Sequence, residues 1–490
     1  MRLRAVYLIA AAVSVTAVLA VAGPAYATSN WSCGEVFVTS PAPLDNNLNC
    51  TGYGDNALVI GGADVVLNLG GHTVTGDSDW DVVYNDPGYD GLTVENGTLD
   101  VGGDGVGVYD KYGDNNTVAD VTISGGTYGV DAWAEANGTT VEDSTISSTF
   151  VPVARHHGAP KFAPTMLKGI YVSGNDATIE GNTVSPATGG TGIEAVYGLG
   201  DVISGNTVTG NFDGTDEIGA EIGIHTHFDT GALVENNTVS SFGYDAAYAS
   251  WDSGTTYDGN TFENSYEGLE IEGEIGPNSN ETISNNFIRN NYYHGVYDYY
   301  SDLNSYTGNV LTNNGIECGT NTSDDCAAFY IDGSGGGSGH GSVTMTNNYA
   351  RLSSYGFWIE DMYSGISYAT TRSLFSGNSA TYDDNGFADI NSVLATWSDN
   401  TAYGNNDNGF VFGTPTHETI TGNSSTHNGA EGFYFGSNAA PSNPLAVTNN
   451  VAEYNGDYGF YAEDPLSASS GNTGSNTNGA DDCWYISGCS

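Results

Sequence analysis

The sequence predicts an all-β solenoid, in which one chain winds through a stack of short parallel strands. A motif built on asparagine recurs at intervals of 22 residues or more. Between its copies, apolar and polar residues alternate, which is the period of a strand and not of a helix. Glycine supplies 69 of the 490 residues and proline only 13. These observations favour short strands joined by glycine and asparagine turns and repeated along the chain.

The asparagine motif places an apolar residue three positions before the asparagine. Successive asparagines are separated by 22 to 39 residues, with a constant lower limit and a variable excess. A coil of fixed circumference with loops of variable length produces this distribution. Asparagine suits a tight turn because it tolerates the left-handed backbone region, and stacked asparagines are able to form a hydrogen-bond ladder. The repeated asparagines are Asn182, Asn206, Asn237, Asn260, Asn286, Asn309, Asn348, Asn378, Asn400, Asn423, Asn450 and Asn472.

A second signature reads glycine, apolar, any residue, apolar, as in GIYV from Gly169 and GLEI from Gly268. Its apolar residues point inward and the intervening residues point outward. Because equivalent residues of adjacent coils stack about 4.8 Å apart, the outward residues form rows. The first outward row is predicted to be Tyr171, Glu194, His225, Tyr248, Glu270, Tyr297, Tyr330 and Trp358. The second outward row is predicted to be Ser173, Val196, His227, Ser250, Glu272, Tyr299, Asp332 and Glu360.

The segment GGADVVLNLGGHTVTG, from Gly61 to Gly76, reads as the first coil. With the later GNTV coils, it resembles the right-handed parallel β-helix of the pectin-lyase-like superfamily. This resemblance implies a single-stranded right-handed parallel β-helix over residues 28–490, with about sixteen coils of 22–24 residues plus loops. It implies no single activity, because the superfamily includes lyases, hydrolases, epimerases, phage tail spikes and adhesins. A β-propeller needs longer blades, and a left-handed β-helix needs a hexapeptide period that is not seen.

The N-terminus predicts a secretory signal peptide over residues 1–27. Arg2 and Arg4 precede an apolar run over residues 5–22, and Ala25-Tyr26-Ala27 has the form of a cleavage site. A transmembrane anchor is the alternative, because the run is nearly long enough to span a bilayer. No later segment is apolar enough to span, so we expect a secreted, extracellular or cell-surface protein with no membrane span after cleavage.

The charge of the chain is strongly negative because cations are scarce. There are 59 acidic residues against nine Lys and Arg, and loss of Arg2 and Arg4 leaves seven, for a net charge of 7 − 59 = −52. Such a chain repels phosphate, so nucleic acid is not an expected partner. The charge suits a salty or calcium-containing exterior. The oligomeric state does not follow from the sequence.

The six cysteines form three close pairs, which behind a signal peptide predict local disulfides. The outer pairs would close the two ends of the fold, and the middle pair would pin a loop. A zinc site is the alternative, although no C-x-x-C spacing is present. The predicted disulfides are Cys33–Cys50, Cys318–Cys326 and Cys483–Cys489.

The two outward rows concentrate aromatic and ionisable side chains in the middle coils, as a carbohydrate-binding groove requires. The alternative is an inert solenoid face, in which strand-favouring aromatic residues stabilise cross-strand stacks. An insertion over residues 150–168 carries three of the seven remaining cations and enters the Gly169 strand. It is either a ligand-recruiting loop or a lid that neutralises nearby carboxylates. The predicted substrate-binding residues are Tyr171, Glu194, Tyr248, Tyr297, Tyr299, Tyr330, Trp358, Glu360 and Arg155.

Two reaction types fit the residues of this face. For glycoside hydrolysis, Glu270 and Glu272 are two residues apart on one strand, about 6.8 Å, near the separation of inverting enzymes. Asp332 and Glu360 lie one coil apart, nearer the retaining distance. Solvated acids or calcium ligands are the alternative interpretation of both pairs.

For β-elimination from a uronic polymer, the candidate bases are Lys168, Arg155, His225 and His227. Calcium, the candidate cofactor, would then bridge a negative protein and a negative polymer. We therefore expect a protein that binds an extracellular polysaccharide, with cleavage by a lyase or hydrolase reaction as a further hypothesis. A non-enzymatic adhesin or matrix protein is the alternative.

Overall fold

A computed structural model describes residues 31–147, 168–214, 220–273, 280–300, 303–316, 326–333, 342–360, 372–437, 445–466, 468–475, 478–487 and 489. Within these ranges the chain forms 49 strands and no helix. No helix that could cross a membrane is found in the described part. The predicted signal peptide, Arg155 and Cys318 lie outside the described residues.

The strands stack in three columns, and each coil passes through the columns in the order A, B, C. The outer side of column A carries the two predicted outward rows. Column A is an 18-stranded parallel sheet of β1 (Glu35–Phe37), β3 (Leu58–Ile60), β6 (Val83–Asn85), β8 (Val106–Lys111), β10 (Tyr128–Trp133), β13 (Lys168–Ser173), β16 (Thr191–Val196), β19 (Ile222–His227), β22 (Asp245–Ser250), β25 (Glu267–Glu272), β28 (Val296–Tyr299), β31 (Ala327–Asp332), β34 (Tyr355–Glu360), β37 (Asn385–Ile390), β40 (Phe410–Phe412), β43 (Phe433–Phe435), β46 (Phe460–Leu466) and β49 (Cys483–Ile486).

Columns B and C consist mostly of three-residue strands, and two nine-residue strands, β7 and β9, run through both columns. Column B contains β4 (Val66–Asn68), β7 (Thr93–Val101), β9 (Thr117–Gly125), β11 (Thr140–Glu142), β14 (Thr178–Glu180), β17 (Val202–Ser204), β20 (Leu233–Glu235), β23 (Thr256–Asp258), β26 (Thr282–Ser284), β29 (Ser305–Thr307), β32 (Thr344–Thr346), β35 (Leu374–Ser376), β38 (Thr396–Ser398), β41 (Thr419–Thr421), β44 (Ala446–Thr448) and β47 (Ser469–Ser470). Column C contains, besides β7 and β9, β2 (Leu48–Asn49), β5 (Thr73–Thr75), β12 (Thr145–Ser147), β15 (Thr183–Ser185), β18 (Thr207–Thr209), β21 (Thr238–Ser240), β24 (Thr261–Glu263), β27 (Phe287–Arg289), β30 (Val310–Thr312), β33 (Tyr349–Arg351), β36 (Ser379–Thr381), β39 (Thr401–Tyr403), β42 (Ser424–Thr426), β45 (Val451–Glu453) and β48 (Thr473–Gly474).

The predicted parallel solenoid is therefore confirmed, with about 15 turns against the predicted sixteen coils. The core runs along its axis and is filled by the inward residues of all three columns. In the C-terminal half, one inward position of column A is a continuous stack of phenylalanines. Neighbouring ring centroids there lie 4.7–4.9 Å apart and the planes are within 9° of parallel. The stack contains Phe329, Phe357, Phe387, Phe410, Phe433 and Phe460.

The repeated asparagines form the predicted ladder at the corner between columns B and C. Asn286, 1% exposed, is typical. Its Nδ2 donates to Asn309 Oδ1 and to the Tyr257 carbonyl, and its Oδ1 accepts two bonds from Asn260. The expectation that the ladder asparagine itself takes the left-handed conformation is wrong. The residue before it does so, for example Asn285 with φ 54°. Glycine, asparagine or aspartate fills this preceding position because each tolerates positive φ.

Breaking the ladder is expected to destabilise the fold. Asn286→Ala removes four side-chain hydrogen bonds and leaves buried donors and an acceptor without partners. We expect a loss of about 3–5 kcal/mol in the free energy of unfolding, because each unsatisfied buried group costs roughly 1–3 kcal/mol. Asn406→Ala, at an exposed asparagine, is the control and should change stability by less than about 0.5 kcal/mol. Chemical denaturation of both variants measures the difference, and equal stabilities would contradict a structural role for the ladder.

Two of the predicted disulfides are confirmed, Cys33–Cys50 and Cys483–Cys489. The first lies at the N-terminal end of the described solenoid. In the second, the backbone of Cys489 also forms an isolated parallel β-bridge with Asn472, the last member of the asparagine ladder. Each disulfide thus closes one end of the stack.

Candidate functional site

The outer side of column A from β13 to β34, called here the column A face, brings together the predicted site residues. The strand registers place the members of each outward row side by side, as predicted. Tyr171 pairs with Glu194, Tyr248 with Glu270, and the pairing continues to Trp358. The second outward row stacks in the same way and includes the predicted neighbours Asp332 and Glu360.

A third row on this face was not predicted. It consists of the residues immediately before the position of the repeat glycine, which is Ala246 in the coil of Asp245, where the chain turns the corner from column C into column A. Three of its side chains contact the first outward row, and His294, for example, lies 5.2 Å from Tyr297 between ring centroids. Lys168 Nζ lies 2.7 Å from Glu194 Oε1, and Asp245 shares a hydrogen bond with Glu270. The third row contains Lys168, Thr191, Ile222, Asp245, Glu267 and His294.

Three carboxyl groups meet at the centre of the face and form the carboxylate cluster. One oxygen from each of Asp245, Glu267 and Glu270 lies within 4.8 Å of the others. Asp245 is 3% and Glu267 8% exposed, and Asp245 Oδ1 and Glu267 Oε2 have no hydrogen-bond partner among the described residues. Burial raises the pKa of all three groups. The negative charge of Glu270 raises the pKa of Asp245 and Glu267 further.

Two chemical states satisfy such a cluster. Two buried carboxylates and a half-buried one cannot all stay negative side by side, so the cluster either retains protons at neutral pH or binds a cation. Within the described part of the chain, these three residues are the group whose geometry suits a metal ion. Carboxylate oxygens are the ligands that hard cations such as Ca²⁺ prefer, so the donor set fits calcium.

A hydrogen-bond network connects the cluster with Glu272, the other predicted catalytic acid on β25. The Tyr248 hydroxyl donates to Glu272 Oε2. Tyr299 contributes a hydrogen bond that lowers the pKa of Glu270 against the larger effect of burial. Burial, followed by the neighbouring carboxylates, raises the pKa of Tyr248 and Tyr299 above the usual range. Both phenols therefore stay protonated and act as donors to the two acids.

The two predicted histidines flank Ser250. Its hydroxyl lies 3.0 Å from His225 Nε2 and 2.5 Å from His227 Nδ1. Burial lowers the pKa of His225 to about 3 and also lowers the pKa of His227. Both imidazoles are therefore neutral at physiological pH, and His225 stacks on Tyr248 with ring centroids 4.9 Å apart. Neutral imidazoles are able to accept protons, although burial makes these two weak bases.

Lys168 is engaged by other groups of the face. Besides its ion pair with Glu194, its ammonium lies 4.3 Å from the centre of the Tyr171 ring. The lysine is only 8% exposed. A role as a base in elimination therefore requires that substrate first displaces Glu194.

The C-terminal part of the face is aromatic and ends in a carboxylate. Ring centroids of Tyr297 and Tyr330 are 5.3 Å apart, and those of Tyr330 and Trp358 are 6.1 Å apart. The Tyr330 hydroxyl and Trp358 Nε1 each donate to Glu360 Oε2 at 3.2 Å. The three rings thus form a continuous apolar strip, and the polar atoms of Tyr330 and Trp358 both bind Glu360.

A second concave feature, a cavity of about 430 Å³, lies at the corner between columns C and A. Stacked turn asparagines and two aromatic rings form most of its wall. Among the described residues that line it, Asp213 carries the one carboxyl group. It is lined by Phe212, Asp213, Gly214, Asn264, Ser265, Asn290, Tyr292, Asn313 and Ile316.

Comparison with known families agrees with this architecture, a right-handed parallel solenoid that carries its polar site on one face. The family described as "Right handed beta helix region" matches residues 58–221 and 222–369, more than half of the chain. The chain belongs to the right-handed β-helix family. A second family, described as "Periplasmic copper-binding protein (NosD)", matches residues 329–476. A search of curated proteins finds no match.

Among solved structures, the chain is similar to the A-module of the mannuronan C-5 epimerase AlgE4 of Azotobacter vinelandii. Identity is 13%, coverage is 78% of this chain and 86% of that chain, and the TM-score is 0.34. It is also similar to pectate lyase Pel9A, with 14% identity, coverage of 74% of this chain and 70% of that chain, and a TM-score of 0.27. For the alginate lyase AlyF-OU02 in complex with G6, identity is 14%, coverage is 94% of this chain and 83% of that chain, and the TM-score is 0.29. At these values nothing about activity follows from the similarity.

Proposed function

We propose that the column A face binds an extracellular polysaccharide and hydrolyses its glycosidic bonds. The observation that carries the proposal is the carboxylate cluster of Asp245, Glu267 and Glu270, held between aromatic residues on adjacent coils. Aromatic rings pack against the C–H faces of sugars, while carboxyl groups bind hydroxyls and transfer protons. Asp245 Oδ1 and Glu267 Oε2 have no partner among the described residues, so they are available to a ligand on this face.

The charge of the face favours an uncharged polysaccharide. Its first and second outward rows carry Glu194, Glu270, Glu272, Asp332 and Glu360, and its one described cation is the paired Lys168. A polyanion would be repelled by this surface and by the whole chain. Neutral sugars meet no such barrier.

The proposed reaction uses two acids of β25. A protonated carboxyl group of the cluster, presented by Glu270, donates its proton to the glycosidic oxygen as the bond to the anomeric carbon breaks. Water attacks that carbon, and Glu272 accepts a proton from the water. Two residues along a strand span about 6.8 Å, which lies in the range of carboxyl separations for inversion at the anomeric carbon.

A cation-dependent reaction on a uronic acid polymer is the second candidate, favoured by the fit of the cluster to calcium. The bound ion would supply charge neutralisation for a substrate carboxylate. His225, His227 and a displaced Lys168 are then the groups placed to accept a proton. Arg155 stays a predicted contact of substrate, and an adhesin without catalysis stays the alternative to both reactions.

A location outside the cytoplasm fits this function. The predicted signal peptide and the two disulfides both point to an oxidising compartment. The name of the second matching family refers to a periplasmic protein. Polysaccharides outside the membrane are the substrates available there.

A panel of polymers tests the proposal. Purified protein is incubated with hydroxyethyl cellulose, arabinoxylan, laminarin, alginate and polygalacturonate, with calcium or with EDTA. We expect new reducing ends from a neutral polymer, without the ultraviolet absorbance of unsaturated products and without loss in EDTA. Absorbance from a uronic polymer that disappears in EDTA would replace hydrolysis by the second candidate. If the protein binds a polymer but forms no product, the binding part of the proposal stands and hydrolysis is ruled out. If it binds none of the polymers, the whole proposal is contradicted.

A further inference from the structure

The residue that follows each column A strand occupies a corner at which the backbone turns toward column B. In three consecutive coils this residue is aromatic, and its φ is positive: 58° at Tyr197, 56° at Phe228 and 61° at Trp251. A bulky side chain is uncommon at positive φ because the backbone crowds its Cβ. Asn391, with φ 64°, occupies the same position in a later coil. Asparagine adopts positive φ with less steric strain than an aromatic residue.

The three aromatic residues form one contiguous surface, called here the aromatic platform, in which Phe228 is half-buried. Tyr197 is 63% and Trp251 41% exposed. The rings of Tyr197 and Phe228 are stacked on each other, with centroids 5.2 Å apart and planes within 7°. The rings of Phe228 and Trp251 meet edge to face, with centroids 5.0 Å apart and planes 85° apart. Phe228 also packs on His227 at 4.2 Å. The platform is therefore continuous with the second outward row of the column A face.

A buried hydrogen-bond ladder holds the backbone of the platform. The Gly198 N–H donates to Asp229 Oδ1 at 2.5 Å, and the Asp229 N–H donates to Asp252 Oδ1 at 2.8 Å. Asp229 is 1% and Asp252 7% exposed. These aspartates directly follow Phe228 and Trp251, so the exposed rings stand on rigid turns. Rigid presentation lowers the entropic cost of binding a ligand.

We propose that the aromatic platform is a sugar-binding subsite, at which pyranose units of a neutral polysaccharide pack against the exposed rings of Tyr197 and Trp251. The proposal rests on the function proposed above and extends it beyond the carboxylate cluster. Three corners, each about 4.8 Å from the next, run parallel to the solenoid axis, so the platform aligns the polymer along that axis. The polymer then runs alongside the second outward row, next to His227 and Ser250.

Asparagine substitutions test the platform without straining the turn. Tyr197→Asn and Trp251→Asn remove the rings but keep a residue that tolerates positive φ. Binding is measured by affinity electrophoresis in hydroxyethyl cellulose, arabinoxylan and laminarin, in the Glu270→Gln background so that cleavage does not interfere. Each substitution should weaken binding by about three- to tenfold, as expected for one aromatic stacking contact.

The control is Tyr112→Asn. Tyr112 follows β8 at the same corner, with φ 67° and 56% exposure, but lies several coils from the platform. It should leave binding unchanged. Unchanged binding by the Tyr197 and Trp251 variants, with turnover still dependent on Glu270, would overturn the platform and keep the proposed function. Absence of binding to all the polymers by the parent protein would overturn both.

Discussion

Glu270→Gln should lower turnover of the polysaccharide by about 10²–10⁴-fold while leaving the fold intact. Glutamine keeps the shape of glutamate but holds no transferable proton, and a positioned general acid or base contributes a factor of this size. The effect should be largest on kcat, because the amide still forms hydrogen bonds with a bound sugar. Rates of reducing-end release from the polymer that the wild type cleaves measure the effect. Glu272→Gln should reduce kcat similarly, since it removes the group that accepts a proton from water.

The matched control is Glu235→Gln. Glu235 ends strand β20 in column B and does not belong to the column A face. Its kcat should equal that of the wild type, and thermal unfolding of all three variants should confirm that they fold. A Glu270→Gln protein with normal kcat would rule out the carboxylate cluster as the source of the proton. Asp332 and Glu360 would then be the next candidates for the catalytic pair.

The fold could be predicted from the sequence because its stabilising contacts join residues at equivalent positions of adjacent coils. The asparagine ladder connects a residue with the same residue one coil later, for example Asn400 with Asn423, so sequence spacing reports the register directly. The outward rows then follow by alternation. The position of positive φ was misplaced by one residue because the same residue types, asparagine and glycine, favour both the ladder and the turn before it.

The site was predicted only in part, and the reason lies at the corners. Counted back from the buried Ala247 and Ala249, alternation assigns Asp245 to the interior. The chain turns at that point, however, and the side chain meets Glu270 of the first outward row. The signal that could have revealed the third row is the run of charged residues immediately before the repeat glycine, at Lys168 and Glu267. Pairings such as Lys168 with Glu194 depend on side-chain directions that spacing alone does not specify.

Buried acids should make the protein more stable at acidic than at alkaline pH. Burial raises the pKa of Asp229 to about 8, with a further contribution from the charge of Asp252, and it raises the pKa of Asp252 and Asp131 to about 7. The folded state therefore holds protons that an unfolded chain releases near pH 4. The resulting stabilisation is complete below pH 4 and is lost as the pH rises through 7 and 8. A one-unit shift corresponds to about 1.4 kcal/mol, so these groups together contribute on the order of several kcal/mol.

Thermal unfolding followed by circular dichroism between pH 5 and 8.5 measures this effect, and we expect Tm to fall by about 5 °C or more across the interval. Asp229→Asn isolates one contribution. Its amide oxygen still accepts the Gly198 N–H, and its NH₂ group occupies the place of Oδ2, which has no partner among the described residues. This variant should therefore raise Tm at pH 8.5 with little change at pH 5, whereas Asp481→Asn, at an exposed carboxylate, should alter neither value. A Tm that stays constant or rises with pH would mean that the buried acids are ionised in the folded state, which requires a cation to neutralise them.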